Sequence, residues 1–185
     1  MNSSTLCSLI LCLITISHHP LPANARAHGH RELIGSSENL IKQICKETFE
    51  EEINCMSILR ADPQIVHATN IFGFSKAILE LALKKGEEGQ NFLKGLVKTT
   101  KSEAIASCAN KCYDGVVGSF SSALAELKVS PDTASYDAKV AGDGSVNCET
   151  ALANAHILNP AISSLNHQIW LLSKIASLAT NKITM

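Results

Sequence analysis

Two cysteine-bearing, helix-patterned segments constrain this chain more than any other feature. The first, SEAIASCANKCYDGVVGSFSSALAELKV, carries Cys108 and Cys112, and the second, VNCETALAN, carries Cys148. Ser130-Pro131-Asp132 turns the chain between them. In an exported chain, a Cys108–Cys148 bond would staple two antiparallel helices across that turn. Closing a loop of about 41 residues contributes about 4 kcal/mol, a large share of the roughly 5–15 kcal/mol that stabilises a domain.

The N-terminus supplies the condition. Leu6 to Ile16 is a short apolar run, followed by His18-His19-Pro20 and the small-residue stretch Pro22-Ala23-Asn24-Ala25. This is the pattern of a secretory signal peptide over residues 1–25, cut after Ala25 or after Ala27. The run is too short to span a bilayer, so no membrane association is expected. Export places the remaining thiols where disulfides persist. Removal of the signal takes away Cys7 and Cys12 and leaves five of the seven cysteines. An odd count means a free thiol or an intermolecular bond. Cys108 and Cys112, four apart on one helical face, have Cβ atoms about 6 Å apart where a disulfide wants about 4 Å. They do not pair with each other, so one of the two is the odd thiol. Cys45 and Cys55 bracket a short charged segment and are natural partners.

Composition removes several function classes. The net charge is −1 with acids and bases interspersed, so nucleic acid is not an expected partner. Aromatic residues make up 4% of the chain, which argues against a base-stacking or aromatic sugar-binding platform. The one Asn-x-Ser/Thr sequon, at Asn2, leaves with the signal.

Along the chain, residues 26–36 are expected to be a basic, histidine-containing flexible arm. Residues 37–60 form a helical hairpin held shut by Cys45–Cys55, with Ser37 as N-cap. Asp62-Pro63 then starts a long bundle helix within 62–182, Asp62 capping and Pro63 at the first position. Its apolar positions are Ile65, Val66, Thr69, Phe72, Ala77, Leu79, Leu81, Leu83, Phe92, Leu93, Leu96 and Val97, with Gly86 and Gly89 as its weak point. Lys98 to Lys101 break it. A second helix from Ser102 buries Ile105, Cys108, Cys112, Val116, Phe120, Ala123 and Leu127. Asp132 caps a third, which buries Tyr136, Val140, Val146, Ala151 and Leu152 and is weakened by Gly142 and Gly144. A fourth, Ala161 to Thr180, buries Ile162, Leu165, Ile169, Leu172, Ile175, Ala176 and Leu178. The fold class is all-α: an up-and-down four-helix bundle with an N-terminal helical hairpin, stapled by disulfides.

No catalytic constellation emerges, so an enzyme is not expected. Glu50-Glu51-Glu52 and Glu87-Glu88 read as solvated faces, and His67, His156 and His167 lack ligand spacing. No metal site or cofactor is expected in the folded domain. At a mature N-terminus, His28 or His30 would stand third from the free amine, a square-planar Cu(II) or Ni(II) pattern; a plain flexible arm is the simpler reading. Cys112 reads as an inert buried thiol rather than a nucleophile.

ENLIKQICKETFEEEINCMSILRADP, AIASCANKCYDGVVGSFSSALAEL and SVNCETAL together resemble the plant invertase and pectin methylesterase inhibitor family over essentially the whole mature chain. Asn147-Cys148-Glu149 is similar to that family's (T/E)-C-E-(D/E) closing motif. Its C-x3-Y-x2-(V/A) arrangement is matched from Cys108 to Tyr113 with one residue extra. The resemblance implies the bonds Cys45–Cys55 and Cys108–Cys148, Cys112 as the extra thiol, and secretion to the apoplast. It further implies a monomeric inhibitor that occludes the active-site cleft of a cell-wall carbohydrate-active enzyme as a 1:1 complex. Invertase-directed members carry Pro-Lys-Phe after the second bundle helix, where this chain has Pro131, Asp132 and Thr133. An acid in place of the cation is repelled by catalytic carboxylates. Pectin methylesterase is therefore the first expected target and invertase the second; a non-inhibitory helical bundle is the alternative of another class. Pro131, Asp132, Thr133, Asn147 and Glu149 are the candidate partner contacts, on the outer faces of residues 102–153.

Overall fold

A computed structural model of the chain describes residues 37–183. The expected signal sequence and cleavage sites, the expected arm at 26–36 and the histidines at 28 and 30 lie outside the described residues.

A helix, α1, occupies residues 37–46. The chain turns through a 3-10 segment, Phe49–Glu51, into α2, Glu52–Ala61. The Cys45–Cys55 disulfide closes this hairpin, and Thr48 caps the turn from inside by donating its hydroxyl to the Cys45 carbonyl at 2.6 Å. Arg60 reaches back across the hairpin to Glu38.

Asp62 and Pro63 start a helix as expected, Asp62 accepting from the amides of Gln64 and Ile65. That helix, α3, is a single turn, Pro63–Val66. Asn70 supplies a second N-cap, accepting from the Gly73 amide at 2.8 Å, and the long helix α4 runs from there over Ile71–Thr100. It therefore consumes the polar stretch assigned to a break. Only Lys101, in the left-handed conformation with φ of 51°, and Ser102 separate it from the next helix. Its buried face is Phe74, Ile78, Ala82, Gly86, Gly89 and Leu93, while Phe72 and Phe92, expected inside, are exposed.

The next helix begins as α5, Glu103–Ser107, capped by Ser102. It widens into a π turn, Cys108–Cys112, and continues as α6, Tyr113–Glu126. The expected stripe from Ile105 to Leu127 is buried throughout. Ser130 takes the N-cap position of α7, Pro131–Asn154, with Pro131 in its first turn. Asp132 lies inside that first turn rather than capping it, and the Ser130 and Thr133 hydroxyls pair at 2.8 Å. Asn159 caps α8, Pro160–Asn181, by accepting from Ala161 and Ile162.

The four long helices pack in the cyclic order α4, α6, α7, α8, each touching its two neighbours. The Cys108–Cys148 bond joins α7 to the π turn. The interior face of α7 differs from expectation. Tyr136 and Val146 are 66% and 50% exposed, and the inward residues are Ala134, Ala138, Ala141, Ser145, Cys148 and Leu152. The reason is distance: α7 sits between α6 and α8 so closely that small side chains fill the interface. A Cβ at Gly144 would stand 2.5 Å from the Cys112 carbonyl oxygen, and one at Gly89 2.7 Å from the Tyr113 ring. These glycines do not interrupt α4 or α7. They are what lets the helices approach.

Candidate functional site

The π turn solves a register problem. Five residues separate Cys108 from Tyr113, one more than a helical turn allows on one face. The Tyr113 amide donates to the Cys108 carbonyl, an i to i+5 bond, and the extra residue is absorbed. Cys108 can then reach Cys148 while Tyr113 points into the bundle, where it is fully buried. On the same turn, Gln90 of α4 donates to the Ala109 carbonyl at 3.2 Å and also to Asp114.

Tyr113 heads a polar chain across the bundle. Its hydroxyl donates to Asn166 Oδ1 at 2.8 Å, and Asn166 Nδ2 donates to Glu149 Oε1 at 2.9 Å. The other Glu149 oxygen accepts from Ser163 at 3.3 Å. Burial, first, and then the Glu149 carboxylate push the Tyr113 phenol far above its ordinary range, so it stays a neutral donor. Glu149, the acid of the Asn-Cys-Glu motif, thus orders the interior rather than standing free on the surface.

Cys112 is the free cysteine among the described residues and is buried. Burial raises its thiol above the ordinary value, with Lys111 opposing, so the nucleophilic thiolate is suppressed.

Outside, α6 and α7 present a low-relief face. Gly115 and Gly118 have open space where a Cβ would stand. A groove of about 540 Å³ runs between the helices, bounded by Lys111, Gly115 and Ser119 on one side and Asp143, Asn147 and Asn154 on the other. Among the five candidate contacts, only Asn147 lines this groove. Glu149, two residues on, faces the opposite groove between α7 and α8. Pro131, Asp132 and Thr133 sit at the far end of α7, about 22 Å from Asn147 along a helix rising 1.5 Å per residue. Asp132 and Thr133 are exposed, and among the described residues Asp132 forms no ion pair. The five residues therefore divide into a tip, an α6–α7 position and an α7–α8 position. No group of three or more metal-ligating side chains occurs among the described residues.

The described helices, from the hairpin to the end of the bundle, fall almost entirely within the match to one known family profile. The profile of the plant invertase/pectin methylesterase inhibitors matches residues 39–181. The chain belongs to that family. The fold is shared with two Arabidopsis structures. A mutant form of a pectin methylesterase inhibitor superposes with a TM-score of 0.67 at 17% identity, covering 76% of this chain and 95% of that one. The structure of a pectin methylesterase inhibitor from Arabidopsis thaliana gives 0.56 at 17% identity, covering 77% and 95%. No curated protein is similar in sequence. The members of this family are inhibitors, and the fold and disulfide frame expected from the cysteine pattern are those observed.

Sequence reasoning passed over Asn166 and Gln90, and noted Tyr113 only for its place in the family motif. The one-residue offset of Tyr113 from Cys108, noted in the motif, is the signal of the π turn. Asn166 and Gln90 carry no local signal, since each acquires its role only from a residue on another helix.

Proposed function

We propose that this chain is a secreted inhibitor of pectin methylesterase that lays the outer face of α6 and α7 across the enzyme's substrate cleft. The observation that carries the choice of target is the exposed, unpaired Asp132 at the start of α7, followed by Thr133. Invertase-directed members of the family resemble one another in a cation and an aromatic at these positions. A carboxylate brought against a glycosidase's acidic pocket is unfavourable by several kcal/mol. The α6–α7 face supports the docking mode. Its glycines and serines put little relief in the way of an opposing surface, and its groove mixes one cation, one acid and amides.

The same loop also favours the second target on one point. Lys128 and Val129 are both exposed, Val129 at 82%, so a cation and an apolar side chain precede Pro131 rather than follow it.

The test is a paired inhibition assay with oxidised, refolded residues 26–185 against a plant pectin methylesterase and a plant cell-wall invertase at acidic pH. Inhibition of the methylesterase alone, abolished by Gly118→Arg on the α6 face, is the expected result. Inhibition of invertase alone, lost on Lys128→Ala, would transfer the assignment to the second target. A folded protein active against neither would make it a non-inhibitory bundle.

A further inference from the structure

The groove on the other side of α7 is absorbed by none of the foregoing. Between α7 and α8 two cavities of about 490 and 390 Å³ adjoin, with Val146 and Trp170 in the wall of both. Their walls reach from Ser163 to Leu178 on α8, about 22 Å of helix at 1.5 Å per residue. Trp170 is 36% exposed and is the one tryptophan in the sequence. Its neighbours hold it in place. The His167 ring lies 5.9 Å away, and Lys174 Nζ lies 5.6 Å from the indole and 5.4 Å from Phe49 while donating to the Thr48 carbonyl. The indole is therefore a fixed apolar plate in the middle of the trough, with polar groups at its two ends.

The two ends of the trough differ. At one, Glu149 already accepts from Asn166 and Ser163, and Glu51 accepts from Asn54 and pairs with His167 at 3.0 Å. The hydroxyls here and at the floor, Ser163, Ser145 and Ser173, each donate their single proton within the protein. What remains toward the trough is chiefly acceptor capacity, with the second Asn166 amide hydrogen as a donor, which suits a ligand rich in hydroxyls. The other end is lined by two cations, Lys139 and Lys174, and one acid, Asp143; Lys139 is exposed and has no ion-pair partner among the described residues. It suits a carboxylate.

From this juxtaposition of an indole plate, acceptor-rich wall and unpaired cation, we propose that the α7–α8 groove binds an acidic oligosaccharide. A pyranose ring lies on Trp170 and Val146, hydroxyls reach Glu149 and Ser163, and a uronate carboxylate sits on Lys139. The 4% aromatic content argued against a sugar platform, but a single indole in a preformed trough is enough for one ring. The site stands apart from the α6–α7 face and does not depend on which enzyme is inhibited.

Because Trp170 is the sole tryptophan, its emission reads this groove directly. The oxidised protein is titrated with a galacturonic acid tetramer, and calorimetry follows the same titration. The expected result is a saturable change in Trp170 emission with matching heat. Lys139→Ala should weaken binding about tenfold or more, the loss of one charge-assisted hydrogen bond. Lys111→Ala, in the other groove, should leave it unchanged. A neutral galactose tetramer should bind correspondingly less tightly. Silence in both emission and heat with a folded protein would overturn the proposal. So would equal affinity for the neutral tetramer, undiminished binding by Lys139→Ala, or equal binding of free acetate.

Discussion

The Tyr113 hydroxyl of α6 donates across the bundle to Asn166 of α8 over 2.8 Å, between side chains that are respectively 0% and 2% exposed. The bond joins two helices on opposite corners of the bundle, and Glu149 of α7 completes it from between them. One buried polar chain thus fixes the mutual register of three helices.

Tyr113→Phe keeps the ring but leaves a buried amide oxygen without its donor. The expected cost is about 1–3 kcal/mol, seen as a fall in Tm of about 2–4 °C per kcal/mol for a chain of this size. Calorimetry checks it, and an unchanged Tm would mean that water replaces the hydroxyl.

Gly144→Ala and Gly115→Ala are chemically the same change with opposite expected signs. At Gly144 the new methyl meets the Cys112 carbonyl oxygen at 2.5 Å and Val116 Cγ2 at 2.6 Å. Prising α7 from α6 should cost about 1–3 kcal/mol. At Gly115 nothing lies within 4 Å, so the gain in helix propensity should stabilise by about 0.5–1 kcal/mol. Urea unfolding of both variants decides it.

The two disulfides should differ in weight. Loop entropy assigns about 4 kcal/mol to Cys108–Cys148 and about 2.8 kcal/mol to Cys45–Cys55, whose sequence separations are 40 and 10. Replacing Cys108 and Cys148 by Ala should lower global stability in denaturant titration. Replacing Cys45 and Cys55 should chiefly raise hydrogen exchange within 37–61 while α4 to α8 stay protected.

The Glu38 carboxyl is held below its ordinary range first by the hydrogen bond from Arg60, against the opposing effect of burial, with the charges of Arg60 and Lys42 adding to the lowering. A lowered folded pKa gives stability that is present above about 4.5 and lost as pH falls through the folded value. Arg60→Ala should flatten part of the acid limb of a Tm–pH curve and lower Tm only slightly at neutral pH, since solvent screens an exposed pair. An acid limb of unaltered slope would locate the pH dependence elsewhere, at Glu51, lowered chiefly by Asn54, or Glu88, lowered chiefly by Lys85.

Local chemistry was enough to read the helical class, the helix starts at Asp62 and Ser102, the hairpin and the buried stripe from Ile105 to Leu127, because each depends on residues within a turn or two. The cysteine frame, helped by family resemblance, supplied both disulfides. What the tertiary structure alone decided concerns neighbours on other helices. Gly89 and Gly144 look like helix breakers in the sequence and are contact points, since only the adjoining helix shows how little room there is. Tyr136 and Val146 look like core and face outward, because α7 buries its small residues instead. Asn147 and Glu149, one motif on paper, open on two different grooves, because residues two apart on a helix point about 200° from one another. Trp170 carries no local signal, and only the packing of α8 against α7 gives it a groove to line.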